Sequence, residues 1–256
     1  MERGGPFSVL RAAGFDVQTR NHAEAVLSGD FADEIEPLVA ALLRFEISAR
    51  EIVGSGGGQA QSTMRLRDAL YGAGWPKHEF VVKTIVDGEE REAVSHEIDH
   101  VRQTVAGTLA LEIEWNNKDP FFDRDLENFQ RLHAQSAISV GILVTRGAAL
   151  QSEMVKIVEN AIRSEGVTDA SALSEWGMKD RTSRQQRMIS AGLEAGLDFP
   201  AAFARSFVSD KYGQATTHWE KLDARVRRGV GNPCPLLLIG LPLGAVSDYS
   251  AATDEL

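Results

Sequence analysis

Two glutamates stand two positions apart in Thr108-Leu-Ala-Leu-Glu-Ile-Glu-Trp115. Read as a strand, this alternating segment sends Leu109, Leu111, Ile113 and Trp115 to one face and Thr108, Ala110, Glu112 and Glu114 to the other. A third acid, Asp99 in His96-Glu-Ile-Asp-His100, lies 13 positions before Glu112 on an expected neighbouring strand, so strand pairing can bring Asp99, Glu112 and Glu114 together. Converging carboxylates repel: two unit charges about 4 Å apart cost on the order of 4 kcal/mol at an effective dielectric of ~20. A divalent cation removes that cost, and oxygen-only ligation with positions left for water suits Mg²⁺. Such an ion polarises a phosphoryl oxygen and activates a bound water, which is the chemistry of phosphodiester hydrolysis. Glu-x-Glu also occurs on ordinary solvated strand faces, so the pattern alone leaves both readings open.

The surrounding chain must position these acids. Residues 1–50 read as helical, most clearly from Ala32 to Ile47, where Ile35, Leu38, Val39, Leu42 and Leu43 recur at near-helical spacing. Gly54-Ser-Gly-Gly-Gly58 interrupts this part as a turn, and Gln61 to Leu70 forms a further helix ending at Gly72-Ala-Gly74. Phe80–Val86 has strand composition. Ala93 to Gln103 follows the Asp87-Gly88 turn as its hairpin partner. After the Thr108–Trp115 strand come a helix at Asp123–Gln135, with Leu126, Phe129 and Leu132 on one stripe, and a continuously apolar strand at Ile138–Val144. That order makes a βαβ crossover with parallel strands. Leu150–Ile162, Ser183–Leu193, Ala201–Val208 and Thr217–Val226 read as helices. Pro235–Leu241 returns as a buried strand, and a polar tail covers Ser247–Leu256. The expected fold is α/β, a mixed central sheet flanked by helices in one domain over 1–256. Its parts are a helical N-terminal part (1–75), a catalytic core (80–165), a helical DNA-contacting and dimer-forming part (166–246) and a tail (247–256).

Composition bounds the function. Cys234 is the one cysteine, which excludes an intrachain disulfide framework and a tetrathiolate zinc site; between two prolines it reads as an inert thiol. His96 and His100 have the four-residue spacing of a helical zinc pair, but they fall in a segment that reads as strand. Apolar runs stay far short of the roughly 18 residues of a membrane span. Met1-Glu-Arg-Gly-Gly-Pro6 lacks a basic-then-apolar leader, so a cytoplasmic protein is expected. The formal net charge is −10, which at first sight disfavours a nucleic-acid partner. Two segments run the other way: Lys179–Arg187 and Lys221–Arg228 each carry a net charge of +3. Such runs are commonly solvated helix faces, but they can equally contact phosphate.

The stretch Ala110-Leu-Glu-Ile-Glu-Trp-Asn-Asn-Lys-Asp-Pro-Phe-Phe-Asp-Arg-Asp-Leu-Glu-Asn-Phe129 resembles the type II restriction endonucleases of the BglII/BstYI family. So do Val140-Gly-Ile-Leu-Val-Thr-Arg-Gly147, Asp210-Lys-Tyr-Gly-Gln-Ala-Thr-Thr-His218 and Arg227-Arg-Gly-Val-Gly-Asn-Pro-Cys-Pro235. The likeness is strong over about 95–240, and upstream it rests on Gly56-Gly-Gly58 and Gly74-Trp75. It implies a PD-(D/E)xK restriction-endonuclease-like core in which Asp99 and Glu112 are the catalytic, metal-holding acids. Glu114 occupies the place of the usual lysine, a position where the family's pattern tolerates glutamine and related BamHI-like nucleases have glutamate. Glu114 cannot supply lysine's positive charge, but it can act as a general base or bind metal through water. Ile98 replaces the proline before Asp99. The resemblance further implies Mg²⁺, a duplex DNA substrate cut at a short palindrome with a GATC centre to leave 5′ overhangs, and a two-fold symmetric homodimer. A structure-selective repair or resolvase-type nuclease, or a DNA-binding module that has lost catalysis, is compatible with the same core.

Base recognition needs forked or bidentate groups. Asn116, Asn117 and Lys118 directly follow the carboxylate strand, although the asparagines also suit the turn before Asp119-Pro120. Thr145 and Arg146 end the next strand; Arg146 suits guanine, with an ion pair or phosphate contact as its other reading. Lys211, Thr216, Thr217, His218, Arg227 and Arg228 are candidate contacts to DNA phosphate. An upstream acid such as Glu46 or Glu51 could extend the metal site.

Overall fold

A computed structural model of the chain describes residues 5–54, 61–173 and 181–249. Five strands form one mixed sheet in the order β1-β7-β6-β5-β4. These are β1 (Asp16–Arg20), β4 (His100–Gln103), β5 (Thr108–Glu114), β6 (Val140–Arg146) and β7 (Leu236–Leu241). β5, β6 and β7 run parallel, while β4 and β1 close the two edges antiparallel. β2 (His78–Val86) and β3 (Glu89–Ile98) make a separate two-stranded hairpin. The helices are α1 (Ser8–Ala12), α2 (Ala23–Asp30), α3 (Ala32–Leu43), α4 (Ala49–Gly54), α5 (Gln61–Gly72), α6 (Phe121–Ala134), α7 (Ala148–Ser164), α8 (Ser183–Glu194), α9 (Phe199–Lys211) and α10 (Trp219–Arg227). This is the expected α/β architecture with a mixed sheet flanked by helices.

The alternation of the central strands sorts the core into two layers. Leu109, Leu111 and Trp115 of the β5 segment join Ile142, Val144, Leu237 and Ile239 in a large cluster with α3, α5, α7 and α9. Ala110 joins Leu143, Leu236 and Leu238 in a smaller cluster on the opposite face, covered by Phe122, Leu126, Phe129 and Leu132 of α6 and Leu222 and Val226 of α10. Glu112 and Glu114 share Ala110's side, so they point into the layer roofed by α6. Gly141 of β6 lets that roof come close: a Cβ there would lie 2.4 Å from the Phe129 ring. No helix among the described residues is long and apolar enough to cross a membrane.

Two elements differ from expectation. The N-terminal part is not wholly helical, because Asp16–Arg20 is an edge strand. It is half-buried along its length and shows no apolar alternation; its backbone pairing with β7 makes it a strand. It also places Asp16, whose Oδ2 accepts a 2.7 Å bond from Ala148 N and so satisfies the start of α7. The expected strand Ala93–Gln103 is two strands. The chain bends at Asp99, leaving the hairpin after Ile98 and entering the main sheet at His100. The glycine run beyond Gly54, Lys179 in the first basic segment and the tail beyond Tyr249 lie outside the described residues.

Candidate active site

β4 pairs with β5 so that His100 faces Leu111, which sets Asp99, one residue before this ladder, beside Glu112. The ladder thus juxtaposes Asp99 and Glu112, and alternation adds Glu114. The bend leaves Asp99 exposed, whereas Glu112 and Glu114 are 5 % and 3 % exposed. A fourth acid joins them from above: Asp125 on α6, 1 % exposed, contacts Glu114. Sequence reasoning missed Asp125, although a signal was present. It sits three residues after Phe122 and four before Phe129, on the inner stripe of an amphipathic helix where an acid has no business with solvent.

The electrostatics follow from this crowding. Burial, reinforced by Asp125, Asp99 and Glu114, pushes the Glu112 carboxyl up to about 10. Burial and Asp125 likewise raise Glu114, and burial raises Asp125. Partial compensation comes from Asn117, whose Nδ2 donates to Glu114 Oε2 at 2.6 Å, and from Arg124. The Arg124 guanidinium lies 2.8 Å from Asp125 Oδ1 and 3.4 Å from Glu114 Oε1. Asp125 Oδ2 is buried and has no hydrogen-bond partner. Among the described residues no three His, Cys, Asp or Glu side chains already stand as a ligand cage. The donor set nonetheless fits a hard cation: it is all oxygen, short of positive charge, and open on the Asp99 side.

The other expected site residues divide into two groups. Asn116 is half-buried, and Asn117 and Lys118 are exposed at the mouth of the cluster, where the backbone of Lys118 bridges to Thr216. Arg227 and Arg228 are exposed on the end of α10, Arg227 paired with Asp223 at 2.8 Å; Lys211 lies 3.7 Å from Asp210. Thr145 and Arg146, by contrast, are fully buried. Thr145 Oγ1 donates to the Glu114 carbonyl at 2.7 Å. Arg146 donates to the Trp115 carbonyl, to Gln151 Oε1 at 2.9 Å and to Thr216 Oγ1 at 2.9 Å, with its guanidinium against the Trp115 and Tyr212 rings. Here Arg146 is a brace between β5, α7 and the 212–218 loop, because enclosure removes it from any base edge. Thr217 and His218 are also fully buried, with Thr217 Oγ1 and both His218 ring nitrogens lacking partners. Arg225 of the second basic segment is likewise spent internally, pairing with Asp119 at 3.2 Å and Asp123 at 2.8 Å to tie α10 to the start of α6.

The remaining candidates serve structure. His100 Nδ1 lies 3.2 Å from the Trp75 carbonyl, and burial lowers its proton affinity. Burial pushes the Cys234 thiol up to about 12, away from nucleophilic use. Glu51 is bonded to Arg65 at 2.5 Å, which holds its carboxyl below the usual range. With Glu46 it lines a separate cavity of about 420 Å³ between α3, α4 and α5, so neither acid extends the carboxylate cluster.

A parallel-centred mixed sheet, with acids at a strand junction and on the next strand and a crossover helix over them, defines the restriction-endonuclease class of fold. The family model for restriction endonuclease BglII/BglIII matches residues 15–241, and the chain belongs to that family of nucleases. No curated protein matches the chain significantly.

Two outcomes test this geometry. Arg146→Met is expected to lose about 2–4 kcal/mol in chemical denaturation, since it strands buried acceptors; unchanged stability would return Arg146 to the DNA surface. The raised Glu112 carboxyl sets a pH dependence. Below about 4.5 it is protonated both folded and unfolded, and from there to about 10 the folded chain alone retains the proton. Stability of the metal-free protein therefore falls as pH rises through that interval. The melting temperature should be lower at pH 9 than at pH 6, and Glu112→Gln should flatten the difference; an unaltered slope in that variant contradicts the assignment.

Proposed function

We propose that the protein is a Mg²⁺-dependent type II restriction endonuclease that cuts duplex DNA at a short GATC-centred palindrome, of the RGATCY or AGATCT kind, leaving 5′ overhangs. The observation carrying this reading is the convergence of Asp99, Glu112, Glu114 and Asp125 at one end of β5, in a chain of the BglII/BglIII family. Asp99 and Glu112 would hold the metal, which when bound supplies Lewis acidity at the phosphoryl oxygen and an acidified water. Glu114, whose burial raises its affinity for a proton, is suited to accept the proton of the attacking water as oxygen bonds to phosphorus and the opposite P–O bond breaks. Asn117 orients that carboxyl through the bond to Oε2. Asn116, Asn117 and Lys118 lie at the cluster's mouth, the position from which base edges would be read. Lys211, Thr216, Arg227 and Arg228 are the accessible candidates for phosphate contact. A homodimer with two-fold symmetry matches a palindromic site.

Incubation with plasmid DNA and Mg²⁺ should give discrete fragments, and sequencing of the cut ends should show one palindrome with a four-base 5′ extension. Glu112→Ala should reduce the rate by at least about a hundredfold while leaving site-specific DNA binding. A random smear contradicts the specificity, retained cleavage by Glu112→Ala contradicts the site, and binding without cleavage in Mg²⁺ or Mn²⁺ would make the protein a DNA-binding module.

A further inference from the structure

The carboxylate cluster has an unusual charge balance for a site that must approach a polyanion. Four acids meet there, and DNA would bring a further negative charge. Among the described residues, Arg124 is the cation in salt-bridge contact with the cluster, through Glu114 Oε1 at 3.4 Å and Asp125 Oδ1 at 2.8 Å. Lys77, on the Asp99 side, is committed to Glu97 at 2.6 Å. Arg124 lies in the first turn of α6 and its side chain is 52 % exposed, whereas the two carboxylates it touches are almost fully buried. Its guanidinium rests on the ring of Phe121, 4.3 Å from the centroid, and Phe121 is itself partly exposed. The arginine therefore reaches inward from the surface and rests on a ledge facing solvent. The inner pairing is incomplete: Asp125 Oδ2 has no partner. One guanidinium cannot satisfy two buried carboxylates together with Glu112 and Asp99.

We propose that Arg124 is the positive charge of this active site, a counter-ion on Glu114 and Asp125 that a divalent cation held beside them at Asp99 and Glu112 repels and that, released from the acids, pairs with a phosphate of the bound DNA. The guanidinium fork suits both partners, since it donates two parallel bonds to a carboxylate or to a phosphate alike. Its half-exposed position permits the exchange, because the contacts it gives up are the two ion pairs and the partly exposed ring of Phe121. The role given to Arg124 rests on the carboxylates forming the metal site.

The test uses Ca²⁺ as a non-cleaving probe on the full chain, with Arg124→Gln, Arg124→Lys and Glu112→Gln. In calorimetry without DNA, Arg124→Gln should bind Ca²⁺ about threefold to tenfold more tightly than the wild type, because the repelling cation is gone. In DNA binding with Ca²⁺ present, the salt dependence of Arg124→Gln should be shallower by about one counterion, and Arg124→Lys should restore it. Neither shift is expected of a residue that merely supports α6. If the wild type binds Ca²⁺, Glu112→Gln does not, and Arg124→Gln matches the wild type in Ca²⁺ affinity and salt slope, the role of Arg124 is overturned and the carboxylate site stands. If the wild type binds no Ca²⁺ with or without DNA, the carboxylate reading itself falls, and this proposal with it.

Discussion

Mutual repulsion among four carboxyl groups gathered at the end of one strand, three of them held out of water, governs this structure. Glu112, Glu114 and Asp125 are each at most 5 % exposed, and Asp99 stands beside them at the bend between β3 and β4. At contact distance each ionised pair costs several kcal/mol at a dielectric of about 20. The metal-free protein answers by binding protons and by leaning Arg124 across two of the acids. An ordinary structural core would have replaced such residues with apolar ones, which are often neutral or stabilising at buried ionic positions. The rest of the fold keeps the acids together despite their repulsion.

Each supporting element contributes a specific restraint. The antiparallel β4–β5 ladder brings Asp99 to Glu112, and the parallel β5–β6 ladder fixes the far end of β5. Thr145 and Arg146 then bind the carbonyls of Glu114 and Trp115, so the strand end carrying the acids cannot fray. The Arg225 pairs with Asp119 and Asp123 hold α10 against the start of α6, and thereby hold Asp125 over the sheet. Cations that look from the sequence like a DNA-binding surface are in part the clamps of the sheet that carries the acids.

Much of this was legible in the sequence because it is periodic. The alternation of Thr108–Trp115, the apolar run of 140–144 and the stripe of α6 dictated two layers around a βαβ unit, and the Glu112/Glu114 face followed from the same alternation. β1 was not legible, because an edge strand held by backbone pairing needs no apolar pattern. The break at Asp99 was hidden inside the single strand expected over Ala93–Gln103; it arises because the hairpin and the main sheet take adjacent parts of one segment. Arg146 illustrates a different limit. Residue type announces a forked donor, but whether the fork meets DNA or protein depends on Trp115, Gln151 and Thr216, which only the fold brings together. Asp125 escaped notice because the α6 stripe is marked by Leu126, Phe129 and Leu132, and an acid lying on that stripe stands out only once Phe122 is counted with them.

The claim that these acids form one cation site is tested most directly by a crystal structure with Mn²⁺ and cognate duplex, read by anomalous diffraction. The expected result is a peak bonded to carboxylate oxygens of Asp99 and Glu112, at the end of β5. A well-ordered complex whose manganese peak lies elsewhere, or which shows none at this position, contradicts the account.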